Sequence, residues 1–106
     1  MNTGARILSL TGLAMKAGKI ASGETAVLSA IASKEARLVL VAKDASEGSK
    51  KLFTDKCRYR DIPCVLFGDK EGLGLSIGRA ERSAVAVTDD AFAARIGELI
   101  KADASQ

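Results

Sequence analysis

The stretch Lys16-Ala17-Gly18-Lys19-Ile20-Ala21-Ser22-Gly23-Glu24-Thr25 brings two lysines, two glycines and small polar side chains to the start of a segment of helical composition. A helix N-terminus holds backbone N–H groups with no intrahelical acceptor and carries a partial positive charge. Phosphate is therefore a natural ligand there, and a glycine lets the backbone of a polyanion come close. The same residues equally suit Ser22 as the helix N-cap, with Gly23 easing the turn. A second stretch, Ser76-Ile77-Gly78-Arg79-Ala80-Glu81-Arg82-Ser83, reads as a loop with two arginines behind an exposed aliphatic entry. That combination suits an unstacked base and its phosphate, with an ordinary basic surface loop as the competing account.

Other chemistry is excluded or explained more simply. The chain contains no histidine, which removes Cys/His zinc sites, Ser-His-Asp triads and Cys-His dyads. Asp44, Asp69, Asp89 and Asp90 follow apolar runs, where α/β enzymes place catalytic groups, and a Mg²⁺ site around Asp44 and Asp89 is conceivable. Asp44, Asp69 and Asp89 also stand where helix N-caps belong, and capping is the reading adopted. Gly72-Leu73-Gly74-Leu75-Ser76-Ile77-Gly78 fails as a dinucleotide loop because Asp69-Lys70-Glu71 separate it from the preceding strand and its last glycine falls one residue late. Helix capping and a turn into the last strand account for these glycines. Lys50, Lys51, Lys56, Arg58 and Arg60 form a basic helix face, read as solvated rather than as a phosphate stripe. No catalytic residue, metal or cofactor is expected.

Three continuous apolar runs, Leu38 to Ala42, Cys64 to Phe67 and Ala84 to Val87, have the character of strands covered on both faces. Each is followed by an acidic turn and a helical segment. Helices are predicted over 4–17, 24–33, 46–60, 70–77 and 89–101, with a short strand at 19–22 and a fraying tail from Ala102 to Gln106. Ile7, Leu10, Ala14 and Ala17 are the predicted inner face of the first helix; Ala26, Val27, Ala30 and Ile31 of the second; Phe92, Ile96, Leu99 and Ile100 of the last. The expected fold class is α/β, a three-layer α/β/α sandwich around a small mixed four-stranded sheet.

The 106 residues, 47% hydrophobic and 27% charged, suit a single folded domain spanning 1–106. No stretch approaches the roughly 18 unbroken apolar residues of a membrane span. The start Met1-Asn2-Thr3-Gly4-Ala5-Arg6 lacks the layout of a secretion signal, so a cytoplasmic protein is expected. Cys57 and Cys64 are too few for a disulfide framework and are read as reduced. Net charge is +3, but residues 1–60 hold 11 Lys and Arg against 5 Asp and Glu, whereas 61–106 hold 5 against 8. The basic half raises the case for a polyanionic partner. One tyrosine, no tryptophan and three phenylalanines make a poor platform for single-strand stacking, which favours a shaped RNA.

The order Gly18-Lys19-Ile20-x-x-Gly23, Ala36-Arg37-Leu38-Val39-Leu40-Val41-Ala42-Lys43-Asp44, Ile62-Pro63, Leu73-Gly74-x-x-Ile77-Gly78 and Ala84-Val85-Ala86-Val87 resembles the kink-turn-binding ribosomal protein superfamily. Ile20-Ala21-Ser22-Gly23-Glu24, Thr54-Asp55-Lys56-Cys57 and Ser76-Ile77-Gly78 followed by Val87-Thr88-Asp89 are most similar to its small bacterial YlxQ-type members. The likeness covers residues 4 to 100. It implies a fold whose RNA face joins the N-terminus of the second helix to the loop before the last strand. There the first turn reads tandem sheared G·A pairs and the loop covers an extruded nucleotide. On this resemblance Gly23, Glu24 and Thr25 fall on backbone-approach and base-reading positions, Lys19 on a phosphate contact, and Ile77, Gly78, Arg79 and Arg82 on the loop. Ser22 and Lys43 complete the expected RNA-binding set. Strong binders of the family carry Asn or Lys, then Glu or Gln, where this chain has Thr25 and Ala26, and a lysine in place of Ser29.

The expected function is therefore non-catalytic binding of structured, kink-turn-like RNA by a monomer, with ribosomal RNA as a candidate partner and neither DNA nor membrane. The alternative is a protein-interaction module on the same fold with little RNA affinity, and a small metal-dependent enzyme stands third.

Overall fold

The computed structural model describes residues 2–104. In chain order the elements are α1 (Thr3–Lys16), β1 (Ile20–Ser22), α2 (Glu24–Ala32), β2 (Leu38–Val41), α3 (Glu47–Tyr59), β3 (Cys64–Leu66), α4 (Lys70–Ser76), β4 (Ala84–Val87) and α5 (Asp90–Ala104). The sheet order is β1-β4-β2-β3, with β2 and β3 parallel and β4 antiparallel to both its neighbours. Helices α1, α4 and α5 cover one face and α2 and α3 the other. The α/β/α sandwich expected from the sequence is thus the fold of the chain. Helix α5 continues through Ala102 to Ala104, where a frayed tail was predicted, while Met1, Ser105 and Gln106 lie outside the described residues.

Continuous apolar runs report burial on both faces only for central strands. All four residues of β2 and of β4 are buried, as predicted. β3 departs from the prediction: Cys64 and Val65 are half-buried and Leu66 is 49% exposed, because β3 is an edge strand with no neighbour beyond it. Phe53 and Cys57 of α3 pack over it from within. Cys57 and Cys64 are both free; a hydrogen bond with Cys64 and, after it, burial push the Cys57 thiol up in pKa, which keeps it protonated.

The inner faces of the helices rotate slightly from the predicted ones. On α2, Val27, Ala30 and Ile31 are buried, whereas Ala26 is exposed, since a residue one position before this stripe points about 100° away from it. On α1, Ile7, Thr11 and Ala14 are buried, Leu10 is half-buried, and Ala17 is the exposed C-cap. Thr11 was not expected inside; its hydroxyl donates 2.8 Å to the Ile7 carbonyl and so enters the core without an unmet polar group. On α5, Ile96 and Leu99 are buried and Phe92 and Ile100 half-buried.

Of the three glycines in this stretch, Gly78 does end the helix, at φ 70° directly after the Ile77 C-cap, but the other two are neither caps nor turn residues. Gly72 and Gly74 lie inside the helix, and a Cβ on Gly74 would collide with the carbonyl oxygen of Ala80. The absent side chain is what lets the returning loop lie against α4. Gly74→Ala is accordingly expected to lower unfolding free energy by roughly 1–3 kcal/mol, read from the midpoint of a urea titration, because backbone on both sides must move.

Candidate nucleic-acid interface

Register decides what shares an edge of the sheet. Ser22 pairs with Val85, Ala84 with Val41, and Val41 with Leu66, so the C-terminal ends of β1, β2 and β3 meet the N-terminal end of β4. One rim of the sheet therefore carries Gly23 and the start of α2, Lys43 after β2, Gly68 and Asp69 after β3, and the loop 77–83 that enters β4. Backbone bonds tie these turns together: Ala42 N–H donates to Ser83 at 2.8 Å, Lys43 N–H to Gly68 at 2.9 Å, and Arg82 N–H to Lys70 at 3.0 Å.

Asp44 serves this rim in a way the sequence did not disclose. It was expected to cap α3, but Ser46 holds that position and accepts from Ser49 N–H at 3.1 Å. The Asp44 carboxylate instead accepts from Lys70 N–H at 2.8 Å, twenty-six residues away, and fastens the start of α4 to the turn after β2. Asp69 and Asp89 do cap, accepting from Gly72 N–H at 2.6 Å and Phe92 N–H at 2.9 Å. Asp44 and Asp89 follow antiparallel strands at opposite ends of the sheet, at least about 10 Å of strand apart, so they do not converge on one ion. Among the described residues no three His, Cys, Asp or Glu side chains gather as metal ligands.

α2 begins differently from its neighbours. Among the described residues, α1, α3, α4 and α5 each start under a side-chain oxygen, from Asn2, Ser46, Asp69 and Asp89. α2 has no side-chain cap. Ser22, a candidate cap, is a half-buried residue of β1, and the N-cap is Gly23 at φ 90°, a backbone conformation that glycine adopts without steric cost. Nothing lies within 4 Å of where a Cβ on Gly23 would stand. Glu24, Thr25 and Ala26 follow, all exposed, so the first-turn N–H groups face open space with the positive end of the helix dipole behind them.

The loop before β4 supplies the opposite wall. Ile77 is not the exposed entry expected from the sequence: it is the C-cap of α4, only 5% exposed and part of the hydrophobic core. It anchors the loop from below. Gly78 and Arg79 are exposed. Arg82 is half-buried and donates to the carbonyls of Ala80 at 3.3 Å and Glu81 at 3.1 Å, which braces the loop and leaves its Nε without an acceptor. Lys19 stands apart from the others. It precedes β1, at the end of the strand remote from Gly23, about 13 Å away along extended chain.

Arg37, Lys50, Lys51, Arg58 and Arg95 are engaged by carboxylates. The Lys51 ammonium, 2.6 Å from Asp55, together with Arg58 holds the Asp55 carboxyl below its ordinary pKa. Lys16, Lys19, Lys43, Lys70, Arg79 and Arg82 form no ion pair among the described residues and lie on the rim or beside β1; Arg6, Lys34, Lys56 and Arg60, likewise without an ion pair, lie elsewhere on the surface. Lys16 belonged to the first suggestive stretch but not to the expected RNA-binding set, and Lys70 was missed in the sequence reading although its place directly after the Gly68-Asp69 strand end and cap was an available signal.

An α/β/α sandwich with this element and sheet order is the architecture of a small ribosomal-protein-like domain. The chain belongs to the Ribosomal protein L7Ae/L30e/S12e/Gadd45 family, which it matches over residues 5–96. It is 43% identical over 91 residues to RNA-binding protein YlxQ of Bacillus subtilis (strain 168), covering 86% of this chain and 91% of that protein. It is 40% identical over 104 residues to RNA-binding protein YlxQ of Enterococcus faecium, covering 95% and 99%. The fold superposes with a TM-score of 0.88 and 36% identity on a protein of unknown function from Bacillus halodurans C, covering 92% of this chain and 98% of that one.

Proposed function

We propose that residues 1–106 act as one non-catalytic RNA-binding domain of the ribosomal-protein type. It grips structured, kink-turn-like RNA between the first turn of α2 and the loop before β4. The observation that carries this reading is the α2 N-terminus, the one helix start among the described residues without a side-chain cap, which opens beside Gly23 on the rim where Lys43 and the 77–83 loop also lie. The RNA-binding names of the bacterial relatives support it. The protein works as a cytoplasmic monomer without metal or cofactor, on RNA rather than DNA, with ribosomal RNA the first candidate.

In this reading Gly23 admits a sharply bent phosphodiester backbone to the free N–H groups of α2. The Thr25 hydroxyl and Glu24 carboxylate reach base edges, where a carboxylate accepts from amino groups. Lys43, Arg79 and Arg82 neutralise phosphates at the rim, and Lys19 takes one farther along β1. Ser22 shapes the approach through its backbone, Ile77 holds the loop from inside, and Gly78 keeps the loop surface low. Ala26 is exposed beside Thr25 but offers no hydrogen bond, which removes a base-edge contact of roughly 1–3 kcal/mol.

A gel shift on a kink-turn duplex, against the same duplex with its G·A pairs replaced, tests the reading; preferential retardation of the first is expected. Equal retardation of both would reduce the activity to general polyanion binding, and no retardation of either would favour the protein-interaction alternative. Lys19→Ala with Arg79→Ala is expected to weaken kink-turn binding and reduce the slope of log affinity against log salt by roughly 1.5, the contribution of about two phosphates. Unchanged affinity and slope would exclude this surface. Thr25→Asn is expected to tighten the complex by about tenfold, since the amide adds a bidentate reader on the groove side of α2; no gain in a titration would mean that the helix does not enter the groove.

A further inference from the structure

α2 and α3 lie side by side on one face of the sheet, and their last turns meet around a cleft of about 270 Å³ lined by Leu28, Ile31, Ala32, Lys56, Tyr59 and Arg60. Tyr59 is the only tyrosine in the chain, yet it is 80% exposed. The Arg60 guanidinium carbon lies 5.2 Å from its ring centroid. The pair therefore forms a planar, cationic surface held at the edge of an apolar floor. No carboxylate lines the cleft. The acid nearest on α3, Asp55, is already taken by Lys51 and Arg58, whereas Lys56 and Arg60 form no ion pair among the described residues.

The outward stripe of α2 connects this cleft to the uncapped helix start. Thr25, Ala26, Ser29 and Ala32 are exposed, small and uncharged, and they span about 10 Å along the helix. No bulky or acidic side chain of that stripe obstructs a strand running along it. An aromatic face flanked by cations over an apolar floor has the chemistry for an unpaired nucleobase with its phosphate.

Resting on the RNA-binding reading above, we propose that the α2/α3 cleft is a second contact, in which an unpaired nucleotide of a single-stranded extension of the same RNA stacks on Tyr59 while Lys56 and Arg60 hold its phosphates. The site measures whether bound RNA continues past the kink.

The test compares a blunt kink-turn duplex with the same duplex carrying a single-stranded extension of about four nucleotides at either strand end. The extended RNA is expected to bind about tenfold tighter. Tyr59→Ala should abolish that gain without changing affinity for the blunt duplex, and Tyr59→Phe should preserve it. Because the chain has one tyrosine and no tryptophan, its intrinsic emission comes from this ring, and quenching by extended but not by blunt RNA is the direct signature. A blunt duplex that binds while the extension adds nothing overturns the second contact alone and leaves the cleft to a protein segment. A gain that survives Tyr59→Ala, or an equal loss on both RNAs, also overturns it. Failure of the wild-type chain to bind either RNA overturns both readings.

Discussion

The first turn of α2 is the constraint on which the interface depends. Its N–H groups need acceptors, and the residue in the capping position is a glycine with no side chain to supply one. Elsewhere in the described chain this requirement is met internally, by Asn2, Ser46, Asp69 and Asp89. A capping residue is worth about 1 kcal/mol relative to alanine and rather less relative to glycine, so the omission costs the fold little. It leaves a concentrated set of donors and a partial positive charge at the one place where the sheet edge gathers unpaired cations.

The rim holds its shape through bonds that do not involve the proposed ligand. Asp44 grips the start of α4, Lys43 and Gly68 join their turns through the backbone, and Arg82 spends much of its guanidinium on its own loop carbonyls. Gly74 permits the loop to lie against α4, and Ile77 pins it to the core. Such a surface is organised before binding, so association need not pay for ordering the loop. Lys50, Lys51, Arg58 and Arg95 are already neutralised by neighbouring carboxylates, whereas the rim cations are not.

Local patterns made much of this legible. The buried runs Leu38 to Val41 and Ala84 to Val87 read as central strands because every residue there is apolar, and Val27, Ala30 and Ile31 read as an inner helix face from spacing alone. Errors arose where the deciding neighbour is distant. β3 resembles a central strand in composition but is an edge; Ile77 resembles a loop residue but drops into the core; Asp44 has the look of a local cap but bonds a residue twenty-six positions on. Composition reports what a side chain prefers, and these three outcomes depend on what the tertiary fold places beside it.

By itself, then, the order of residues determined the alternation of helices and strands, the glycine at the start of α2, the absence of imidazole chemistry and the basic bias of the first sixty residues. These follow from side-chain type and short-range periodicity. Only the three-dimensional structure decided that Gly23, Lys43, Lys70 and the 77–83 loop share one rim, that Lys19 stands at the far end of β1, and that Tyr59 lies open beside Arg60. Those relations are set by sheet order and register, in which each strand's neighbour is chosen by the packing of the whole sheet and is written in no single segment.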